Sequence, residues 1–165
     1  MYTVLIFPKL KQHSTIQDIR EKHDYLYNKI APHITLVFPQ KYDSLTDLVD
    51  ALKFVSKNTS SFKGSISRII SSGKLLLIPI EHGSSTLSAI HKKLYEQNIP
   101  DNRWPGYTFF PHITLGEFIS SKDCLDKVSE YASVISQEEF FIYSLCIEEI
   151  QDDDSSRLVY VEKLT

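Results

Sequence analysis

The chain has 165 residues, roughly one domain at about 150 residues per domain, and its 42% hydrophobic content is enough to fill a core. Five glycines and seven prolines argue against a fibrous or disordered chain. Lys and Arg number 18 and Asp and Glu 21, so the net charge is −3; this supports no basic face for coating long nucleic acid, but leaves room for a few local donors around a small anion or an RNA end.

In chain order, residues 2–7 are apolar, β-branched or aromatic and stop at Pro8, which predicts a buried strand. Ile16, Ile19, His23, Leu26 and Ile30 recur at helical spacing, with Ser14 or Thr15 as N-cap and Pro32 closing the helix. His33–Phe38 follows as a strand ending at Pro39. Leu45, Leu48, Val49, Leu52 and Val55 form a second helical stripe, started by Asp43 or Ser44. A strand at 62–71 turns through Ser72-Gly73 into another at 74–80. Leu87, Ile90 and Leu94 mark a helix capped by Ser84 or Ser85, and His112–Phe118 is a strand entered through Pro111. Leu125, Val128, Ala132 and Ile135 mark a fourth helix, Phe140–Ile150 a strand, and 157–163 a last strand. The acidic run Asp152-Asp153-Asp154 between these two strands reads as a solvated hairpin turn rather than a metal site.

Each half therefore reads strand–helix–strand–helix–strand, and the central strand of each carries the same five residues, Pro-His-Ile-Thr-Leu, at 32–36 and at 111–115. A repeat in matching positions of two matching element strings indicates duplication. The expected fold is α+β: duplicated βαβαβ lobes with antiparallel-rich sheets, related by a pseudo-twofold axis, with the active-site cleft between them. Residues 1–165 are expected to form a single domain, with lobe one at about 1–72 and lobe two at about 73–165.

Side chains alternate on a strand, so His33 and Thr35 share one face while Ile34 and Leu36 take the other, and His112 and Thr114 stand likewise against Ile113 and Leu115. Pseudo-twofold packing would bring the two polar faces together around one site. Two histidines near neutrality can divide the labour of general base and general acid. Two threonine hydroxyls can donate hydrogen bonds to phosphate oxygens as negative charge builds on them. Nothing in this set requires a metal or another cofactor, since each strand brings one imidazole and no second ligand. Apolar residues would suit a core better at 33 and 112, so repetition of a polar pair points to use.

At these residues the sequence resembles the two-histidine (2H) phosphoesterase superfamily, which includes 2′-5′ RNA ligase-like proteins and cyclic nucleotide phosphodiesterases. Its signature, two His-x-Thr/Ser-x tetrapeptides on strands of a duplicated lobe, stands here as His33-Ile34-Thr35-Leu36 and His112-Ile113-Thr114-Leu115. The likeness extends over nearly the whole chain and is greatest to the small bacterial phosphoesterase branch. The resemblance implies His33 as proton donor, His112 as proton acceptor, and Thr35 and Thr114 as phosphate-binding residues. It implies hydrolysis of a 2′,3′-cyclic phosphate, or, with an RNA 5′-hydroxyl as nucleophile, ATP-independent 2′-5′ joining. The expected partner is a small nucleotide or RNA-end substrate.

One departure is that Gly116-Glu117 follows the second motif where many relatives carry a basic residue. Arg103 is a candidate for the missing charge, and Trp104, Tyr107, Phe109 and Phe110 are candidates for stacking a base. His23 reads as a packed helix residue, while His13, His82 and His91 have no repeated partners. Two other readings compete with catalysis by the histidine pair: a non-catalytic binding module for phosphorylated nucleotide or RNA ends, and a zinc hydrolase using scattered histidines. Cys124 and Cys146 form no disulfide framework and match no metal spacing, so reduced thiols are expected. The start of the chain has no basic n-region and too short an apolar run for a signal peptide, and no stretch approaches the ~18 apolar residues of a membrane span. A monomer in the cytoplasm, without a membrane partner, is the expectation.

Overall fold

In the computed structural model, which describes residues 1–165, the first repeat runs β1 (Tyr2–Ile6), α1 (His13–His23), β2 (Ile34–Gln40), α2 (Leu45–Lys57), β3 (Phe62–Ile66) and β4 (Ile70–Ser72). The second runs β5 (Leu75–Pro79), α3 (Ser84–Tyr95), β6 (His112–Glu117), α4 (Ser121–Tyr131), β7 (Glu138–Ile142) and β8 (Ser144–Ile150), and β9 (Ser156–Lys163) is extra. All strand pairs are antiparallel, in three sheets ordered β2-β1-β8-β9, β4-β5-β6 and β3-β7. The fold is mixed α and β with no closed barrel. No helix is long and apolar enough to cross a membrane.

The sheets do not divide at residue 72. Each repeat gives its last strand to the other's sheet: β8 pairs with β1, and β4 with β5. Each also lends its first helix, since α1 packs on β6 and α3 on β2. The remaining strands, β3 and β7, pair with each other. The two repeats are thus interlocked, and the motif strands β2 and β6 meet where they cross.

Two expected strands are each split in two. The stretch 62–71 is β3 and β4, and 140–150 falls within β7 and β8, the members of each pair lying in different sheets. Continuous hydrophobicity marks both as buried but cannot show where the chain changes sheets. β2 runs through Pro39 to Gln40, which is tolerated because β2 is an edge strand, where a missing N–H costs no ladder bond.

The first helix ends at His23, short of Leu26 and Ile30. Asp24 turns the chain out: its backbone is extended, and its carboxylate accepts from Arg20 Nε at 2.8 Å and from the Leu26 amide at 3.0 Å. The helix is not capped by Ser14 or Thr15. Glu138, from β7, takes the backbone amides of Lys11 and Gln12 at its N-terminus, a carboxylate placed where the helix dipole favours it. α2 starts as expected at Ser44, whose hydroxyl accepts from the Thr46 amide at 3.2 Å. α3 is entered through Gly83 rather than through a serine cap; its φ of +83° and the Lys63 carbonyl, 2.6 Å from where a Cβ would stand, both require glycine. In α4 the buried face is Cys124 and Tyr131, followed by Ile135 beyond its end, while Leu125 and Ala132 are exposed. Gly73 takes the tight β4–β5 turn at φ +60°, and residues 152–156 form the turn before β9.

One core runs through the molecule, and the apolar members of both motifs lie in it. Ile34, Leu36, Ile113 and Leu115 are each at most 1% exposed. Burying each such side chain is worth about 1.5–3 kcal/mol, which fixes the register that leaves the intervening polar residues outside the core.

Candidate active site

The alternation places His33 and Thr35 on one face at β2, and His112 and Thr114 on one face of β6, all four half-buried. Leu5 of β1 is the ladder partner of Thr35, and Leu77 of β5 that of Thr114. The two imidazoles are held in the same way. His33 Nδ1 lies 2.8 Å from the carbonyl of Ala31, and His112 Nδ1 lies 2.6 Å from the carbonyl of Phe110. A carbonyl oxygen can only accept, so each Nδ1 carries the proton and donates. That leaves Nε2 of each ring without a protein partner, as an acceptor when the ring is neutral and a donor when it is charged.

His33 and Thr114, from different strands and different repeats, line one cavity of about 210 Å³ with Arg20, Asp24, Tyr25 and Glu117. His33 and Thr35 line a second, of about 190 Å³, with Leu5, Tyr25 and Ile30. His33, Tyr25 and Leu26 are common to both. Burial is the main force lowering the pKa of His33 below its ordinary 6.5; the Arg20 and His112 charges lower it further, against the pull of the Ala31 carbonyl and Asp24. Burial likewise lowers His112, opposed by the Phe110 carbonyl. An aromatic ring stands beside each imidazole: Phe7 edge-on to His33 at 6.2 Å, and Phe110 stacked on His112 at 5.9 Å.

Arg103 is not brought to this site. Its Nε and Nη2 donate to the two oxygens of Asp101 at 2.8 and 2.7 Å, its guanidinium lies over Tyr95 at 4.3 Å, and it pulls the Asp101 carboxyl down to about 2. The cation at the site is Arg20 of α1, 1% exposed, which sequence reading passed over. Its guanidinium donates to Asp24, to Gln17 Oε1 at 2.8 Å and to the carbonyl of Ile30 at 2.9 Å, fixing the segment that leads to His33. An arginine on the apolar stripe beside Ile16 and Ile19, four residues before an aspartate, is the signal that could have found it.

The other aromatics of the second connection are largely occupied. Phe109 stacks on His91 at 4.1 Å, Trp104 and Tyr107 pack on Phe38 of β2, and Phe110 alone of the four stands next to a motif histidine. His91 is buried, its Nδ1 bonded to the Leu36 carbonyl at 2.7 Å. His23 Nε2 lies 2.9 Å from the Tyr131 hydroxyl. Gly116 has a packing reason: a Cβ there would come within 2.5 Å of His23. Cys124 and Cys146 are buried free thiols. Nowhere do three His, Cys, Asp or Glu side chains converge as a metal-binding group.

A model of the 2′-5′ RNA ligase superfamily matches residues 7–154. Among curated relatives, "Putative phosphoesterase OB1230" of Oceanobacillus iheyensis is 28% identical over 137 residues, spanning 76% of this chain and 75% of that protein. "Putative phosphoesterase GWCH70_0799" of a Geobacillus species is 25% identical over 141 residues, spanning 82% and 76%. Among solved structures, TT0787 of Thermus thermophilus superposes with a TM-score of 0.66 at 13% identity, covering 99% of this chain and 97% of that one. E. coli LigT complexed with 3′-AMP superposes with a TM-score of 0.63 at 12% identity over the same shares.

Proposed function

The chain belongs to the 2′-5′ RNA ligase superfamily of 2H phosphoesterases and is a phosphoesterase, and we propose that it hydrolyses a 2′,3′-cyclic phosphate of a nucleotide or RNA end, with His33 and His112 as its acid–base pair. The carrying observation is that His33 and Thr114, from opposite repeats, line one cavity, with Nδ1 of both imidazoles tied back to a carbonyl. Tying back Nδ1 in this way leaves one exchangeable nitrogen per ring, Nε2, free for a ligand.

Nε2 of neutral His112 takes a proton from water as the water oxygen bonds to phosphorus. Nε2 of protonated His33 gives its proton to the ribose oxygen that leaves. One P–O bond forms and one breaks, and the proton gained by His112 is afterwards returned by way of solvent to His33. Thr35 and Thr114 donate hydrogen bonds to the non-bridging oxygens, where negative charge builds. The donor and acceptor assignment follows the family pattern. With an RNA 5′-hydroxyl replacing water, the same steps join two ends without ATP. The LigT complex with 3′-AMP supports a ligand of nucleotide size for this fold.

The test is incubation with the four nucleoside 2′,3′-cyclic phosphates, with and without a chelator, followed by chromatography of the products. Turnover unaffected by the chelator and lost in both His33→Ala and His112→Ala is the expected result. Turnover surviving in both variants removes the pair from the reaction, and tight binding without product makes the protein a binding module.

A further inference from the structure

β8 carries a charge where a sheet interior is expected. Leu145 and Ile147 point into the core, so Cys146 and Glu148 occupy the opposite face of β8. Glu148 is only 5% exposed, yet its carboxylate accepts no hydrogen bond and has no cation within ion-pair distance. Lys29, which also borders this region, is turned away: its ammonium donates to the Asp153 carbonyl at 2.6 Å and lies 3.8 Å from Asp154. Ser56 Oγ is the fully enclosed side-chain atom that lacks a partner, so the Glu148 oxygens still meet solvent, through the cavity they border.

Glu148 lines a cavity of about 500 Å³, together with Phe7, Gln17, Tyr27, Asn28 and Ala31. That volume lies within the roughly 300–1,000 Å³ of small-molecule sites. The cavity adjoins His33 at two points. The Ala31 carbonyl is the one that holds His33 Nδ1, and the Phe7 ring is the one that stands edge-on to the His33 imidazole. Gln17 accepts from Arg20 through Oε1, which leaves its amide N–H groups for a ligand. The site therefore offers an aromatic wall, amide donors and one acceptor-only carboxylate, next to the imidazole assigned to the phosphate.

We propose that this cavity is the base subsite of the phosphoesterase and that Glu148 selects guanine. The proposal rests on the cyclic-phosphate reading above. The contacts of Ala31 and Phe7 with His33 make this cavity the one we assign to a base joined through its ribose to a phosphate at His33. Guanine presents N1–H and an N2 amino group side by side, two donors for the two oxygens of one carboxylate, and a charged acceptor strengthens both bonds. Adenine and cytosine present one amino group next to a ring nitrogen that is itself an acceptor, and uracil one N–H between two carbonyls; each sets a lone pair against the carboxylate.

The experiment compares kcat/KM for guanosine, inosine, adenosine, cytidine and uridine 2′,3′-cyclic phosphates in the wild type and in Glu148→Gln. Guanosine is expected to lead the other common bases by tenfold or more. Inosine, which lacks only the 2-amino group, is expected to fall severalfold below guanosine, mainly in KM. Glu148→Gln should remove the lead of guanosine while melting no lower than wild type, because the side chain keeps its shape and has no hydrogen bond or ion pair to lose. Equal turnover of all bases by the wild type, or a guanosine lead that persists in Glu148→Gln, overturns the proposal and leaves the phosphoesterase reading standing. Calorimetric titration with guanosine 3′-monophosphate separates the two the other way. Binding that depends on Glu148, in a protein that turns over no cyclic phosphate, keeps the base subsite and rejects the reaction. The inosine comparison needs no variant and decides the matter should Glu148→Gln fail to fold.

Discussion

The two motif strands are near copies, but the segments that lead into them are not. Residues 24–33 join α1 to the first motif in a short connection, pinned from beneath by the buried Arg20 guanidinium through Asp24 and the Ile30 carbonyl. Residues 96–111 join α3 to the second motif in a longer connection that holds itself by the Arg103–Asp101 pair and by aromatic contacts with Phe38, and it leaves Trp104 61% exposed and Phe110 44% exposed. At matching positions after the motifs, β2 has Val37, buried in the core, and β6 has Gly116, which admits His23 of α1. The repeat keeps the motif residues and lets their surroundings diverge. One flank is built as a rigid wall, and the other is a more open rim.

The largest effect should treat the flanks as equals. His33→Ala and His112→Ala are each expected to lower kcat by about 10²–10⁴-fold, the usual worth of a general acid or base, with unchanged circular dichroism. A variant that keeps wild-type kcat would show that only one flank works. The next effects should separate the flanks. Arg20→Ala leaves Asp24 unpaired in a buried setting and should cost about 3–5 kcal/mol in urea unfolding, whereas Arg103→Ala should cost about 1 kcal/mol or less, because its partner Asp101 is 55% exposed. Equal losses would dissolve the distinction between wall and rim.

Gly116→Ala sets a methyl against the His23 backbone and should cost about 1–3 kcal/mol, as overpacking does. A neutral result would mean α1 can slide on β6. The smallest effect is common to both flanks. Burial lowers the pKa of His33 and His112, and of His23 and His91 as well, below 6.5. The unfolded chain therefore takes up protons near 6.5 that the folded chain accepts only at lower pH. Stability is complete above about pH 6.5 and declines as the pH falls through that value toward the lowered pKa values. Because the reaction needs one ring charged and one neutral, kcat/KM should peak on the acid side of 6.5. An optimum above pH 7.5 would contradict the depressed values.

Much of this was legible in the residue pattern because it depends on local periodicity. The duplication, the four helices, and the alternation that exposes His33, Thr35, His112 and Thr114 while burying Ile34, Leu36, Ile113 and Leu115 all follow from spacing. What was not legible depends on contacts between residues far apart in the chain. The cap of α1 comes from Glu138, the partner of β1 is β8, and the unpaired Glu148 reads as an ordinary charge on a strand until burial is known. Arg103 drew notice for its charge, but Asp101, two residues earlier, already neutralises it. Arg20 was hidden by lying on an otherwise apolar helix face.

The exchange of last strands also bears on how the protein is made. Leu5 pairs with Cys146, so the first strand to leave the ribosome must wait for almost the whole nascent chain before its ladder can close. Neither sheet can be finished by its own repeat, and contacts so distant along the chain are slow to form. During synthesis the β1 edge that faces β8 stays unpaired, so the interlock of the two repeats leaves that edge open to chaperones or to aggregation until β8 has emerged.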